Sequence, residues 1–194
     1  MLTKDSYRIV LASQSPRRHQ LLQQAGLNFV VKLQDVEEVF PDDMPVEEVA
    51  IYLADLKATA ARHFLEQPTD VILAADSVVI LDGEIFGKPK DAADAKAMLQ
   101  RLSGQEHRVI TGVCLLTADR KISFGDTAHV KFGELSEEEI NYYIEAYQPF
   151  DKAGSYAIQE WIGLCKIERI EGTYANIMGL PVQRVYAALE ELLA

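Results

Sequence analysis

The chain alternates short apolar runs with stretches whose apolar residues recur at helical spacing. Ile9-Val10-Leu11-Ala12 reads as a strand, and Ser13-Gln14-Ser15-Pro16-Arg17-Arg18 as the turn after it. An amphipathic run beginning His19-Gln20-Leu21-Leu22 then predicts a helix over 16–25. Ser15 suits its N-cap, Pro16 its first position and Gly26 the residue after its end. A second strand is expected over 28–33, centred on Phe29, Val30 and Val31. An acidic segment, Asp35-Val36-Glu37-Glu38, and a proline-bearing loop lead to a helix over 46–64. Val46, Val49, Ala50, Leu53, Ala60, Ala61 and Phe64 form its apolar stripe, with Lys57 inside the stripe.

Residues 70–81 are nearly all apolar around Asp76-Ser77, as in a strand covered on both faces at the centre of an α/β sheet. Asp82-Gly83 signals a two-residue hairpin with return strand 84–86, and Pro89 keeps Lys88 extended. Asp91 can cap a helix carrying Ala95, Met98, Leu99 and Leu102 that ends at Ser103-Gly104. Strands are expected over 109–116 and 121–132. Ser136-Glu137-Glu138-Glu139 is a capping box before a helix with Ile140, Tyr143, Ile144 and Tyr147, which explains its glutamates without a metal. Residues 151–159 are rich in small side chains that permit close backbone approach. A strand over 161–170 and a loop over 172–181 follow. The last helix turns Val182, Val185, Tyr186, Leu189 and Leu192 inward.

Composition narrows the function more than the fold. The 194 residues suit one domain or two closely packed lobes. No apolar run reaches the length of a membrane span, and the start lacks a signal peptide's apolar core, so a cytoplasmic location and no membrane partner are expected. The net charge of −11 disfavours nucleic acid as a partner. Cys114 and Cys165 read as small buried hydrophobes, and the four histidines have no metal-ligand spacing. Any metal would be a hard ion on carboxylates, Mg²⁺ or Mn²⁺.

Against that acidic background the cations gain meaning. Arg17 and Arg18 at a helix start fit an anion site, and they also fit two solvated arginines. The carboxylates at 35–38 could hold a cation or line a solvated loop. Lys57 either snorkels to water or reaches an anion. Asp76 is the most anomalous residue, because a carboxylate inside an apolar strand needs hydrogen bonds, a cation or a metal.

Taken together, Ile9 to Arg18, Ala75-Asp76-Ser77, Gly87-Lys88-Pro89, Asp151-Lys152-Ala153-Gly154 and Gly179-Leu180-Pro181 resemble the Maf family of nucleotide pyrophosphatases, essentially end to end. The resemblance implies an α/β fold like that of the inosine-triphosphate pyrophosphatases, a mixed twisted sheet flanked by helices. It implies one domain over 1–194 made of two lobes with an active cleft between them. It implies hydrolysis of nucleoside triphosphates to monophosphate and pyrophosphate with a divalent metal, and it allows a homodimer. By motif, Asp76 matches the proton acceptor, and Ser13, Arg17, Arg18, Lys57, Lys88 and Lys152 the phosphate-facing positions. Glu37 and Glu38 match the acidic metal side with Asp76, and Arg17, Ser77 and Gln159 the positions linked to base selection. Ala157-Ile158-Gln159 is similar to the branch that prefers dTTP and UTP, while a related branch acts on 7-methyl-GTP. The family's likeness to septum-formation inhibitors leaves a non-catalytic nucleotide-binding regulator as a third reading. Ser77 stands where threonine is common, and Glu160-Trp161 where a glycine usually follows the glutamine.

Overall fold

The computed structural model describes residues 7–193. Its strands are β1 (Arg8–Leu11), β2 (Phe29–Val31), β3 (Asp70–Leu81), β4 (Glu84–Phe86), β5 (Glu106–Leu116), β6 (Lys121–Phe132) and β7 (Ile167–Glu171). Its helices are α1 (Pro16–Gln24), α2 (Val46–Ala60), α3 (Ala92–Leu102), α4 (Glu137–Tyr147), α5 (Trp161–Lys166), α6 (Tyr174–Met178) and α7 (Val182–Leu193). The seven strands bond in the order β2-β1-β3-β5-β6-β7, with β4 paired to β3. The sheet is mixed and flanked by helices: β1 is parallel to β2 and β3, whereas β4 opposes β3 and β7 opposes β6. Among the described residues no helix is long and apolar enough to cross a membrane. The chain divides into two compact units. One runs through Asp76 and takes in Thr111–Asp126 and everything from Gly179 on, and the other comprises Ser77–Ile110 and Thr127–Met178.

In the first unit, Val10, Ile72, Ala74, Cys114 and Leu116 pack against Ala54, Ala58 and Ala61. The small residues of α2 matter because Gly112 lies directly under the helix backbone: a Cβ there would sit 2.2 Å from the Ala50 carbonyl carbon. The expected helix over 46–64 is α2 followed by a 3₁₀ turn, Ala61–Phe64. Parallel pairing of Leu11 with Leu73 ends β1 while β3 continues to Asp76. On α7 the buried residues are Val185, Ala188, Leu189 and Leu192, with Val182 and Tyr186 only half-buried.

In the second unit, Leu99, Leu102, Phe132, Ile140 and Tyr143 are fully buried, each contributing about 1.5–3 kcal/mol of transfer free energy. Leu81 pairs with Glu84, and Asp82 and Gly83 both have positive φ, as a two-residue type I′ hairpin requires. Asp91 accepts the Asp94 N–H at 2.9 Å, and Ser136 and Glu139 complete the capping box.

Three expectations are corrected. Residues 161–170 are not one strand, because α5 occupies the first half and β7 the second. Gly163 presses on the Ile158 carbonyl oxygen five residues back, where a Cβ would come within 1.9 Å, so a tight turn into α5 requires glycine there. The loop over 172–181 contains α6, since the Thr173 hydroxyl accepts the Asn176 N–H at 3.2 Å and starts a helical turn. Cys165 is exposed, although Cys114 is buried as expected. Ser15 stands at the N-cap position of α1, but its hydroxyl makes no cap bond; its own N–H donates to the Ser13 hydroxyl at 3.2 Å.

Candidate active site

The first unit gathers one group of the expected residues. Ser13 follows β1, and its buried hydroxyl also accepts from Arg18 at 3.1 Å. Arg18 donates its Nε to the Gly179 carbonyl at 2.8 Å, tying the turn to the segment before α7. Burial pushes the Arg18 guanidinium below its ordinary value; the charge of Asp76 opposes this, that of Arg17 adds to it and that of Glu38 opposes it. Arg17, on the first turn of α1, is half-buried. From α2, Lys57 reaches into the group, its Nζ lying 2.5 Å from Asp76 Oδ1 and 2.8 Å from Glu38 Oε1. The lysine therefore leaves the apolar stripe for carboxylates.

Burial along β3 explains why Asp76 is tolerated. Every residue of the strand is buried except Asp76 and Ser77, which are partly open, so the carboxylate lies at a local gap in the cover. Glu37 is exposed, and Lys57 pairs with its neighbour Glu38. Glu38 and Asp76 thus present hard oxygen donors around one ammonium. Among the described residues no group of three or more His, Cys, Asp and Glu side chains could hold a metal.

The second unit holds the other expected residues. The antiparallel register returns Phe86 opposite Val79, and exposed Lys88 follows two positions later. Gly154 donates to the Gly87 carbonyl at 3.0 Å, stitching the Lys88 segment to the turn that carries Lys152. Gly154 has φ +67°, which favours glycine, and a Cβ there would crowd the Val79 side chain at 3.0 Å. Lys152 has only 9% of its side chain exposed, with its Nζ 2.7 Å from Asp151 and 3.5 Å from Glu160. Ser77 and Gln159 are partly exposed, and Gln159 Oε1 is buried without a hydrogen-bond partner.

Two roles were not read from sequence. Arg18 acts as a tether as well as a charge, and no local pattern signals that. Glu160 accepts from the Tyr143 hydroxyl and faces Lys152; its departure from the family's usual glycine was the available signal.

A family model described as Maf-like protein matches residues 8–192. A protein of Phocaeicola vulgatus named dTTP/UTP pyrophosphatase is 50% identical over 189 residues, 97% of each chain. A Flavobacterium psychrophilum protein of the same name is 48% identical over 185 residues, covering 95% of this chain and 94% of its own. Among solved structures, the Staphylococcus aureus Ham1 protein aligns with a TM-score of 0.56 at 18% identity over 95% of this chain and 98% of its own, a likeness of fold alone.

Proposed function

The chain belongs to the Maf-like protein family, and from that premise we propose that it hydrolyses dTTP and UTP to the monophosphate and pyrophosphate. The near full-length relatives bearing that name support the substrate, and the reading makes the chain a nucleotide-pool housekeeping enzyme of the cytoplasm. Its two lobes act as one domain on one substrate in this reading.

The observation that carries the chemistry is Lys57 Nζ held between Asp76 and Glu38. A triphosphate is strongly anionic, and its cleavage needs charge neutralised on the departing pyrophosphate and a proton taken from the attacking water. Asp76 is the proton acceptor. Its place in a gap of an otherwise covered strand leaves the carboxylate reachable while the backbone around it stays fixed. Glu38 and Asp76 would hold Mg²⁺ or Mn²⁺, a fit because such ions take one or two carboxylates plus substrate phosphates. When bound, the ion would supply Lewis-acid stabilisation of phosphate charge. Glu38 is preferred to Glu37 because it alone of the two meets Lys57.

Lys57, Arg17, Ser13, Lys88 and Lys152 bind the phosphates, and Arg18 adds charge while holding the Ser13 turn to Gly179. Arg17, Ser77 and Gln159 select the base, and the unpaired Gln159 oxygen is suited to accept from the imide N–H of uracil or thymine. The test is pyrophosphate release with Mg²⁺ from a panel of triphosphates. dTTP and UTP are expected to turn over fastest. Preference for 7-methyl-GTP, or turnover of no triphosphate, overturns the proposal.

A further inference from the structure

We propose that Tyr143 is a positioning residue for the base-reading Gln159, acting through Glu160 and the Ala157 amide; this rests on the reading of Gln159 given above. The tyrosine projects from α4 and is 0% exposed. Its hydroxyl donates to Glu160 Oε2 and accepts the Ala157 N–H at 3.2 Å. One oxygen therefore holds the chain on both sides of Gln159. The same segment is closed by the Glu160 N–H on the Ala157 carbonyl at 3.1 Å.

Glu160 occupies the N-cap position of α5 but makes no side-chain cap bond there. Its carboxylate is used on Tyr143 and, at 3.5 Å, on Lys152. Helix capping is thus forgone for a buried contact, and the contact spans the residue that ends in an unpaired buried acceptor. An acceptor held without a partner discriminates only if its position is fixed. A loose Gln159 would turn to satisfy itself on water or a neighbour, and a base offering a donor at that point would lose its advantage.

The test uses the full chain and the variants Tyr143→Phe, Glu160→Ala and Glu160→Gln, with kcat and KM measured for dTTP and dCTP. Tyr143→Phe and Glu160→Ala should lower the dTTP-over-dCTP ratio of kcat/KM by about tenfold, mainly through the KM for dTTP. Glu160→Gln keeps an acceptor for the tyrosine and should restore the ratio to within about twofold. An unchanged ratio in Tyr143→Phe, or an equal loss on both substrates, overturns the proposal. A substrate-free measurement separates this outcome from failure of the functional reading. Hydrogen exchange of the Ala157 amide should quicken about tenfold in Tyr143→Phe, and unchanged protection overturns the strut whichever nucleotide the wild type prefers.

Discussion

Asp70 opens β3 with both carboxylate oxygens occupied, and Asp76 stands farther along the same strand in quite different company. Arg8 grips Asp70 with two bonds of 2.7 Å, and the N–H groups of Glu66 and Gln67 donate to it at 2.8 and 2.9 Å. The Asp70 side chain is 0% exposed. Asp76 retains 14% exposure, and the chain supplies to its Oδ1 an ammonium shared with Glu38. A rigid guanidinium fork and backbone donors lock a carboxylate into structure. A lysine on a flexible stem shares its charge and can be drawn to another anion. The difference separates a carboxylate that holds β3 to β1 from one that is partly open and held by a single shared ammonium.

The contrast can be broken first at Asp70. Asp70→Asn takes a fully buried carboxylate from Arg8 and two backbone donors, leaving Arg8 only Glu66 at 3.3 Å, and should cost about 3 kcal/mol of stability, read as a lowered denaturation midpoint. Asp76→Asn should move the same midpoint far less. Equal losses at the two positions would erase the distinction.

The pH dependence sharpens it. His107 is buried with its Nε2 2.7 Å from the Tyr156 hydroxyl, and burial lowers its pKa from 6.5 to about 4. Between those values the unfolded chain binds a proton that the native chain refuses. Stability should therefore fall as pH drops through that window, by about 3 kcal/mol in all. Arg8 holds the Asp70 carboxyl below its ordinary value, so the Asp70 contribution persists through the His107 window and is lost only as pH falls further. Urea unfolding of wild type and His107→Gln between pH 7 and 4 checks this; a slope that survives His107→Gln contradicts it.

Saturated and open serines give the smallest effects. Ser136 completes a capping box, and Ser136→Ala should cost about 1 kcal/mol. Ser15 makes no cap bond, and Ser15→Ala should cost less than about 0.5 kcal/mol by thermal unfolding.

These details show where sequence reading reached and where it stopped. The bounds of β3, the Asp82-Gly83 hairpin and both side-chain caps at Asp91 and Ser136 follow from local chemistry, and all were legible. Asp76 was legible because a carboxylate in an apolar run contradicts its own surroundings. Residues 161–166 were misread because a short, mostly apolar stretch fits strand or helix equally well, and the close turn of Gly163 onto the Ile158 carbonyl leaves no signal in the pattern. Ser15 holds the expected N-cap position, but whether its hydroxyl makes a cap bond is set by its rotamer and not by its place in the sequence. Glu37 and Glu38 could not be separated without knowing which one Lys57 meets. The burial of Lys152 between Asp151 and Glu160 depended likewise on how the chain turns.

The most direct test sets the two aspartates side by side in one assay, as pyrophosphate release from saturating dTTP per folded molecule. Asp70→Asn should retain turnover within a few-fold of wild type, whereas Asp76→Asn should bind nucleotide yet release pyrophosphate more than about a thousandfold more slowly. Near wild-type release by Asp76→Asn would contradict the assignment of Asp76 as the proton acceptor.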